Sequence, residues 1–288
     1  MRMARPFSLS QGMANALPVI LFLLIGFVAP LLAVIGFSVM PARTFSLWQT
    51  PTLANYWTIV EGSNYISFLA SLGLAALTTV LLALICYPIA YGVVHVAGRW
   101  SMLVLLLFTI PLFVSEAVRL YGWVLFFIKG GLLLGTLNSL FGIELDSILF
   151  TPLATLIGMV YVYLPFMLFP MTLGVAKVPQ ETRDAAFDLG ATRWQVFREV
   201  ELPLAMPGII IGFLLTFVLA VGAVAEAKVL GGQKIIPIAH DIEIAFTDAQ
   251  NWPLGAALSV LLIVVVGVAV VAVLSRFDLD SILGRRQG

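Results

Sequence analysis

One charged segment interrupts an otherwise apolar chain: residues 177–203 read KVPQETRDAAFDLGATRWQVFREVELP. Pro179 suits a first helical turn, because its missing N–H has no partner to lose there. Gly190 is placed to end this helix in a left-handed cap. Thr192 and Gln195 have the spacing of a capping box, which begins a second helix. The segment therefore predicts a helix, a sharp turn and a helix, with small residues leaving the backbone around the turn nearly bare.

Apolar runs extend on both sides of this segment. The chain has 288 residues, of which 61% are hydrophobic and 10% charged, and its mean hydropathy is +1.08. Soluble domains carry about 25% charged residues, and a helix needs about 20 apolar residues to cross a bilayer. We therefore predict an all-α, polytopic membrane protein of six transmembrane helices, with a single domain over 1–288. The predicted spans are 17–39, 68–94, 101–128, 148–176, 202–229 and 252–274.

Lysine and arginine are unevenly distributed between the predicted loops. With the N-terminus inside, ten fall in inner segments and four in outer loops, and this bias predicts that both termini are cytoplasmic. The inner residues are Arg2, Arg5, Arg99, Lys177, Arg183, Arg193, Arg198, Arg276, Arg285 and Arg286, and the outer residues are Arg43, Lys129, Lys228 and Lys234. The first span is longer than the apolar region of a signal peptide, so we expect it to remain uncleaved. A net charge of zero provides no basic field for nucleic acid.

The spacing within the charged segment resembles the loop motif of bacterial ABC importer permeases, which is Glu-Ala-Ala, three residues, Gly, nine residues, Ile, one residue and Leu-Pro. The same intervals separate Asp184-Ala185-Ala186, Gly190, Val200 and Leu202-Pro203. Asp replaces Glu and Val replaces Ile, which keeps charge and shape. The resemblance implies a type I permease fold and a cytoplasmic coupling helix that docks in a cleft of a separate ATP-binding subunit. The residues that it assigns to this contact are Asp184, Ala185, Ala186, Gly190, Leu202 and Pro203.

Shorter segments resemble the spermidine/putrescine subgroup of these permeases, which also includes opine and phosphonate permeases. They are 115–123, 230–232 and 251–259. The resemblance implies a bacterial inner-membrane permease that moves a small polar solute, with a polyamine favoured, from periplasm to cytoplasm by alternating access. Its implied partners are an ATP-binding subunit present as a dimer, a second permease subunit that is a different chain, and a periplasmic solute-binding protein. The sequence has no G-x-x-x-x-G-K-[ST] phosphate loop, so ATP and magnesium are expected on the ATPase subunit, with no cofactor in this chain.

Ionisable residues also fall inside two predicted spans, where charge is costly and marks candidates for function. Glu116 and Arg119 are three positions apart and share a helix face, so they either form a structural ion pair or line a substrate path. Glu226 lies near the outer end of span five, where an acidic group would attract a cationic solute. The lone Cys86 lacks the partners of a metal site.

Two other classes of protein compete with the importer. A secondary transporter usually shows an internal repeat and broken helices around a midplane site, and no repeat is visible here. A membrane enzyme would need paired carboxylates at the midplane, H-E-x-x-H or G-x-S-x-G, and the sequence contains none of them. We therefore expect that the chain is not an enzyme, and that the secondary transporter is the main alternative.

Overall fold

The computed structural model describes residues 11–142, 146–232, 234 and 236–277, with side chains from residue 16 onward. This part of the chain is helical and contains no strand. Its α-helices are Gln11–Leu23, Ala29–Ser38, Ala54–Glu61, Asn64–Tyr91, Ser101–Thr109, Glu116–Phe127, Leu132–Phe141, Pro152–Ala176, Gln180–Asp188, Arg193–Gln195, Leu202–Val221, Ala225–Val229, Ile238–Phe246 and Trp252–Leu274. The π-helical turns Leu24–Val28, Gly92–Val96 and Val196–Glu201 continue several of them.

Six continuous helical stretches are long and apolar enough to cross a membrane, which confirms the all-α class and the predicted number of spans. They are Ala16–Ser38, Asn64–Val96, Glu116–Phe141, Pro152–Ala176, Arg193–Val221 and Trp252–Leu274, and we number them one to six. Spans one, two, four and six lie within four residues of their predicted bounds. Both termini lie outside the described residues, as do four of the predicted inner charges: Arg2, Arg5, Arg285 and Arg286.

The predicted third span, 101–128, is not one helix. Its first half belongs to a shorter apolar helix, Gly98–Phe113, and the candidate span is Glu116–Phe141. A 3₁₀ turn that contains Pro111 ends the first helix, because proline cannot donate a backbone hydrogen bond. The chain is then extended at Ser115, with ψ of 137°. The apolar run therefore hides a break that its hydropathy alone does not show.

The predicted fifth span, 202–229, also differs from the observed helix. Span five begins earlier, at Arg193, and ends at Val221. Gly222 follows with ψ of 5°, and a separate short helix, Ala225–Val229, begins after it. Glu226 therefore lies on this short helix beyond span five, rather than within a continuous span.

Within the predicted single domain, the structure distinguishes two compact units. One comprises Met1–Gly62 and Ile242–Val264, and the other comprises Ser63–Asp241 and Val265–Gly288. In the first unit, the buried Asn55 donates its amide to the carbonyl oxygens of Ser38 and Met40, at 3.1 and 2.7 Å. This bond pair ties the helix Ala54–Glu61 to the end of span one.

In the second unit, spans two, four and five pack against one another. Spans four and five approach most closely at Gly174 and Gly208. A Cβ atom on Gly174 would lie 2.7 Å from the Ala205 carbonyl oxygen, and one on Gly208 would overlap the Pro170 carbonyl oxygen. Small residues permit such close helix contacts in membranes, where packing rather than hydrophobicity drives association. This contact fixes the two spans that residues 177–203 connect.

Candidate functional site

The segment 177–203 forms the predicted helix, turn and helix. The helix Gln180–Asp188 ends at Gly190, whose φ is +85°. The Gly190 N–H donates to the Phe187 carbonyl at 2.9 Å, and the Ala191 N–H donates to the Ala186 carbonyl at 3.1 Å. These two bonds form a Schellman cap. The predicted left-handed position of Gly190 is therefore confirmed.

The second helix begins with the predicted capping box. The Thr192 hydroxyl accepts from the Gln195 N–H at 3.3 Å, and the Gln195 side-chain oxygen accepts from the Thr192 N–H at 2.8 Å. The helix then passes through the π-helical turn Val196–Glu201. Pro203 follows that turn, and its lack of an N–H removes one regular helix bond. The segment thus runs without a break into span five.

The six residues assigned to ATPase contact occupy two places. Asp184, Ala185, Ala186 and Gly190 lie on the first helix and its turn, whereas Leu202 and Pro203 lie in the helix of span five. Asp184, Ala185 and Gly190 are exposed. Leu189, beside the turn, is 89% exposed, and a Cβ atom on Gly190 would meet no atom within 4 Å. The turn therefore presents small side chains and the large apolar side chain of Leu189 outward, a surface that suits a protein partner.

One charged side chain of the helix Gln180–Asp188 is buried, and the sequence analysis did not single it out. Arg183 is 8% exposed, and its Nε lies 2.8 Å from Glu201 Oε1. Its Nη2 donates to the Tyr91 hydroxyl at 2.8 Å. Its Nη1 lies 3.0 Å from His95 Nδ1 and donates to Gln180 Oε1 at 3.1 Å. We call Arg183, Glu201, Tyr91 and His95 the arginine cluster.

No pattern in the sequence marks this cluster. Arg183 counts there only as one inner positive charge, and Glu201 lies 18 positions away, beyond the reach of any helical spacing. Tyr91 and His95 share one face of a helix at the end of span two. Only the pairing of these three elements in space turns an apparently solvated arginine into a buried one.

The second candidate site is a cavity of about 440 Å³ around Glu226. Its ionisable lining consists of Glu116, Arg119, Tyr163 and Glu226, with Phe166 among the other lining residues. The structure therefore brings together all three residues proposed from the sequence for a substrate path. Tyr163 in span four was not predicted, because an isolated tyrosine in an apolar run has no distinguishing signal.

The charges of this cavity are incompletely paired. Glu226 is 0% exposed, and neither of its carboxylate oxygens has a hydrogen-bond partner of ordinary geometry, although Tyr163 is near enough to interact with the carboxyl group. Arg119 Nε and Nη1 are also buried without a hydrogen-bond partner. The alternative of a Glu116–Arg119 ion pair is not seen in the described chain. Buried charges are normally paired or hydrogen-bonded, so the cavity has unused capacity to bind a polar ligand.

The described residues include no cluster of three or more His, Cys, Asp or Glu side chains placed to hold a metal ion. The two candidate sites thus differ in chemistry: the first is a surface with a buried polar cluster behind it, and the second is a charged cavity.

Comparison with known proteins gives one family. Residues 80–278 match the model of the family described as binding-protein-dependent transport system inner membrane component. The chain is 35% identical over 217 residues to the spermidine/putrescine transport system permease protein PotB of Escherichia coli K12, covering 75% of this chain and 79% of that protein. It is 30% identical over 261 residues to the inner membrane ABC transporter permease protein YdcU of the same organism, covering 84% and 82%.

A solved structure shares the fold. A chain of the crystal structure of a bacterial ABC transporter involved in the import of the acidic polysaccharide alginate superimposes with a TM-score of 0.73, at 16% sequence identity. The match covers 91% of this chain and 93% of that one. At this identity the likeness concerns the fold, which agrees with six membrane spans.

Proposed function

The chain belongs to the family of binding-protein-dependent transport system inner membrane components, and we propose that this ABC importer permease passes a small cationic amine through the Glu226 cavity. The permease role confirms the sequence-based identification and the expectation that the chain is not an enzyme. The single observation that carries the choice of solute is the buried and incompletely paired carboxylate of Glu226.

Charge and size both favour such a solute. The cavity holds two carboxyl groups, of Glu116 and Glu226, against the one guanidinium of Arg119, so its acidic side chains outnumber its basic one. A protonated amine would give Glu226 the charge-assisted hydrogen bond that it lacks, and the rings of Tyr163 and Phe166 provide faces for the rest of a cation. About 440 Å³ falls within the usual range of small-molecule sites. Relatives named for spermidine and putrescine support the same choice.

Transport would be driven at the turn around Gly190. We propose that the exposed face of the helix Gln180–Asp188 docks into a cleft of a dimeric ATP-binding subunit, which holds ATP and magnesium. The exposed Ala185 and Leu189 support a close protein contact. A second, different permease subunit and a periplasmic solute-binding protein would complete the importer. ATP hydrolysis on the partner would then alternate the access of the cavity between periplasm and cytoplasm.

The orientation follows from the distribution of positive charge. Counted on the predicted span bounds, ten inner against four outer lysines and arginines support cytoplasmic termini, with the segment 177–203 on the cytoplasmic side. Reporter fusions at Gln287 and in the part of 130–147 that follows Phe141 test this arrangement, and we expect the first reporter inside and the second outside. A periplasmic signal from the C-terminal fusion would contradict it.

The test of the solute is uptake by the assembled importer in proteoliposomes, with radiolabelled putrescine and spermidine. A hydrogen bond to a charged group contributes about 1.5–3 kcal/mol, so Glu226→Gln should reduce uptake about 10- to 100-fold. Asp248→Asn, at an exposed carboxylate, is the matched control and should leave uptake unchanged. Unaltered kinetics in Glu226→Gln would remove Glu226 from the path. Uptake that continues without the ATP-binding subunit would instead identify a secondary transporter.

A further inference from the structure

Arg183 is the one buried residue of the helix Gln180–Asp188, whose other residues are exposed or half-buried. A helix of nine residues is too short to be stable alone in water, so it depends on its tertiary contacts. Its N-cap, Pro179, provides no side-chain hydrogen bond. The position of this helix therefore rests to a large extent on the contacts that Arg183 makes.

These contacts reach two different spans. Tyr91 and His95 belong to the end of span two, which finishes at Val96, and Glu201 lies in the helix of span five. Spans two and five both pack in the core of the second unit. One guanidinium thus joins the short helix to two membrane helices at once, and its planar fork of donors suits such a junction.

The helix Gln180–Asp188 packs against the π-helical turn Val196–Glu201, but the junction is not closely packed on every side. A cavity of about 580 Å³ lies beside the cluster, and its lining includes Tyr87, Tyr91, Arg183, Phe187 and Glu201. The Tyr87 hydroxyl in this lining is buried without a hydrogen-bond partner. This cavity leaves part of the space between the helix Gln180–Asp188 and the spans empty. The helix could therefore shift into the cavity while the spans keep their positions. The polar contacts of Arg183 bridge this gap and connect the helix Gln180–Asp188 to spans two and five.

We propose that Arg183 is a positioning residue for transport, and that the arginine cluster transmits movement of the helix Gln180–Asp188 to spans two and five. The inference rests on the proposed docking of that helix to an ATP-binding subunit. It assigns docking and transmission to different residues: the exposed Ala185 and Leu189 touch the ATPase, and the buried Arg183 passes the displacement on. Loss of Arg183 should therefore uncouple ATP hydrolysis from transport without releasing the ATPase.

The experiment measures three quantities on the whole importer in proteoliposomes: copurified ATPase, ATP hydrolysis, and putrescine imported per ATP hydrolysed. For Arg183→Gln we expect normal copurification and continued hydrolysis. We expect the putrescine-to-ATP ratio to fall about fivefold or more, as for the loss of a typical coupling between sites. Arg276→Gln, at an exposed arginine after span six, is the matched control and should keep the normal ratio. The exchange Arg183→Glu with Glu201→Arg restores the ion pair and should recover part of the ratio.

An unchanged ratio in Arg183→Gln would reduce the cluster to a structural brace, and loss of the copurified ATPase would show that Arg183 serves docking instead. If Arg183→Gln does not reach the membrane, Arg183→Lys provides the same test, because it keeps the charge but loses the planar fork. Failure of the proposed function itself is distinguishable: the unmodified importer would then transport without ATP or without an ATPase partner.

Discussion

Arg183 and Glu226 are both buried and charged, but the chain treats them in opposite ways. Arg183 contacts four side chains through its three nitrogen atoms, with Nε held by an ion pair to Glu201 rather than by a hydrogen bond of ordinary geometry. Glu226 is 0% exposed and has neither carboxylate oxygen hydrogen-bonded by ordinary geometry. This difference separates a buried charge whose partners belong to the protein from one that is left for a ligand under the proposed function.

Desolvation explains the contrast. Removing an ion from water costs several kcal/mol even after relaxation. Ion pairs and hydrogen bonds with neighbouring groups must offset this cost. At Arg183 the protein itself supplies the partners, so the cluster is stable without any ligand. At Glu226 the compensation is incomplete within this chain, and a cation entering the cavity would supply it. We therefore propose that the permease uses one buried charge for mechanical connection and the other for binding.

The largest expected effect removes a partner of the satisfied charge. Glu201→Gln leaves Arg183 buried without its carboxylate, and breaking a buried pair in this way costs about 3–5 kcal/mol of unfolding free energy. Denaturant titration of the purified protein in detergent measures the loss. Glu61→Gln, at an exposed glutamate, is the control and should change stability by less than about 0.5 kcal/mol. Equal stability of the two variants would show that Arg183 does not depend on Glu201 for its compensation.

The same change at the unsatisfied charge should have the opposite sign. Glu226→Gln removes an incompletely paired charge, so the free energy of unfolding should stay level or rise, by up to about 3 kcal/mol. The unmodified protein should gain about 2.7 kcal/mol when putrescine is present at about 100 times its Kd, and the variant should gain much less. Thermal unfolding with and without putrescine measures both quantities. Destabilisation by Glu226→Gln would mean that this carboxylate is a structural partner after all.

A smaller effect on stability is expected at the exposed turn, with a large effect on transport. Gly190→Val places a β-branched residue at a φ of +85°, which costs about 1–2 kcal/mol and adds bulk where the ATPase docks. Membrane abundance should stay near normal, while uptake fails and less ATPase copurifies. Gly142→Val is the matched control for backbone strain, because Gly142 has a φ of +64° and a Cβ atom there would also meet no atom within 4 Å. Full uptake by Gly190→Val at normal abundance would show that this turn does not couple ATP to transport.

The smallest effect concerns the helix start. Thr192→Ala removes the hydroxyl that accepts from the Gln195 N–H, and such a cap is worth about 1 kcal/mol. Uptake should fall only modestly, since span five continues the helix and holds it in place. Comparison with Thr192→Ser, which keeps a capping hydroxyl, separates the cap from the methyl group. A loss as large as that expected for Glu201→Gln would show that the cap, rather than the arginine cluster, positions this segment.

Local features of the site were predictable. The turn at Gly190 and the capping box of Thr192 and Gln195 depend on residues within a few positions, and both are confirmed. The break at Ser115 was missed, because hydropathy is insensitive to an extended pair of residues within an apolar run. The end of span five at Val221 was missed because the apolar run continues through Gly222.

The sequence alone was enough to predict a membrane environment, the number of spans and the family, because hydropathy and motif spacing are properties of the linear sequence. Its pattern also singled out Glu116, Arg119 and Glu226 as charged residues within apolar runs. The shared cavity of these three residues is visible only in the tertiary structure. The same holds for the contacts of Arg183 with Glu201 and with two residues of span two. The energy of a buried charge depends on the neighbours that helix packing brings close to it. Because these neighbours come from different helices, no regular spacing in a single sequence reveals them.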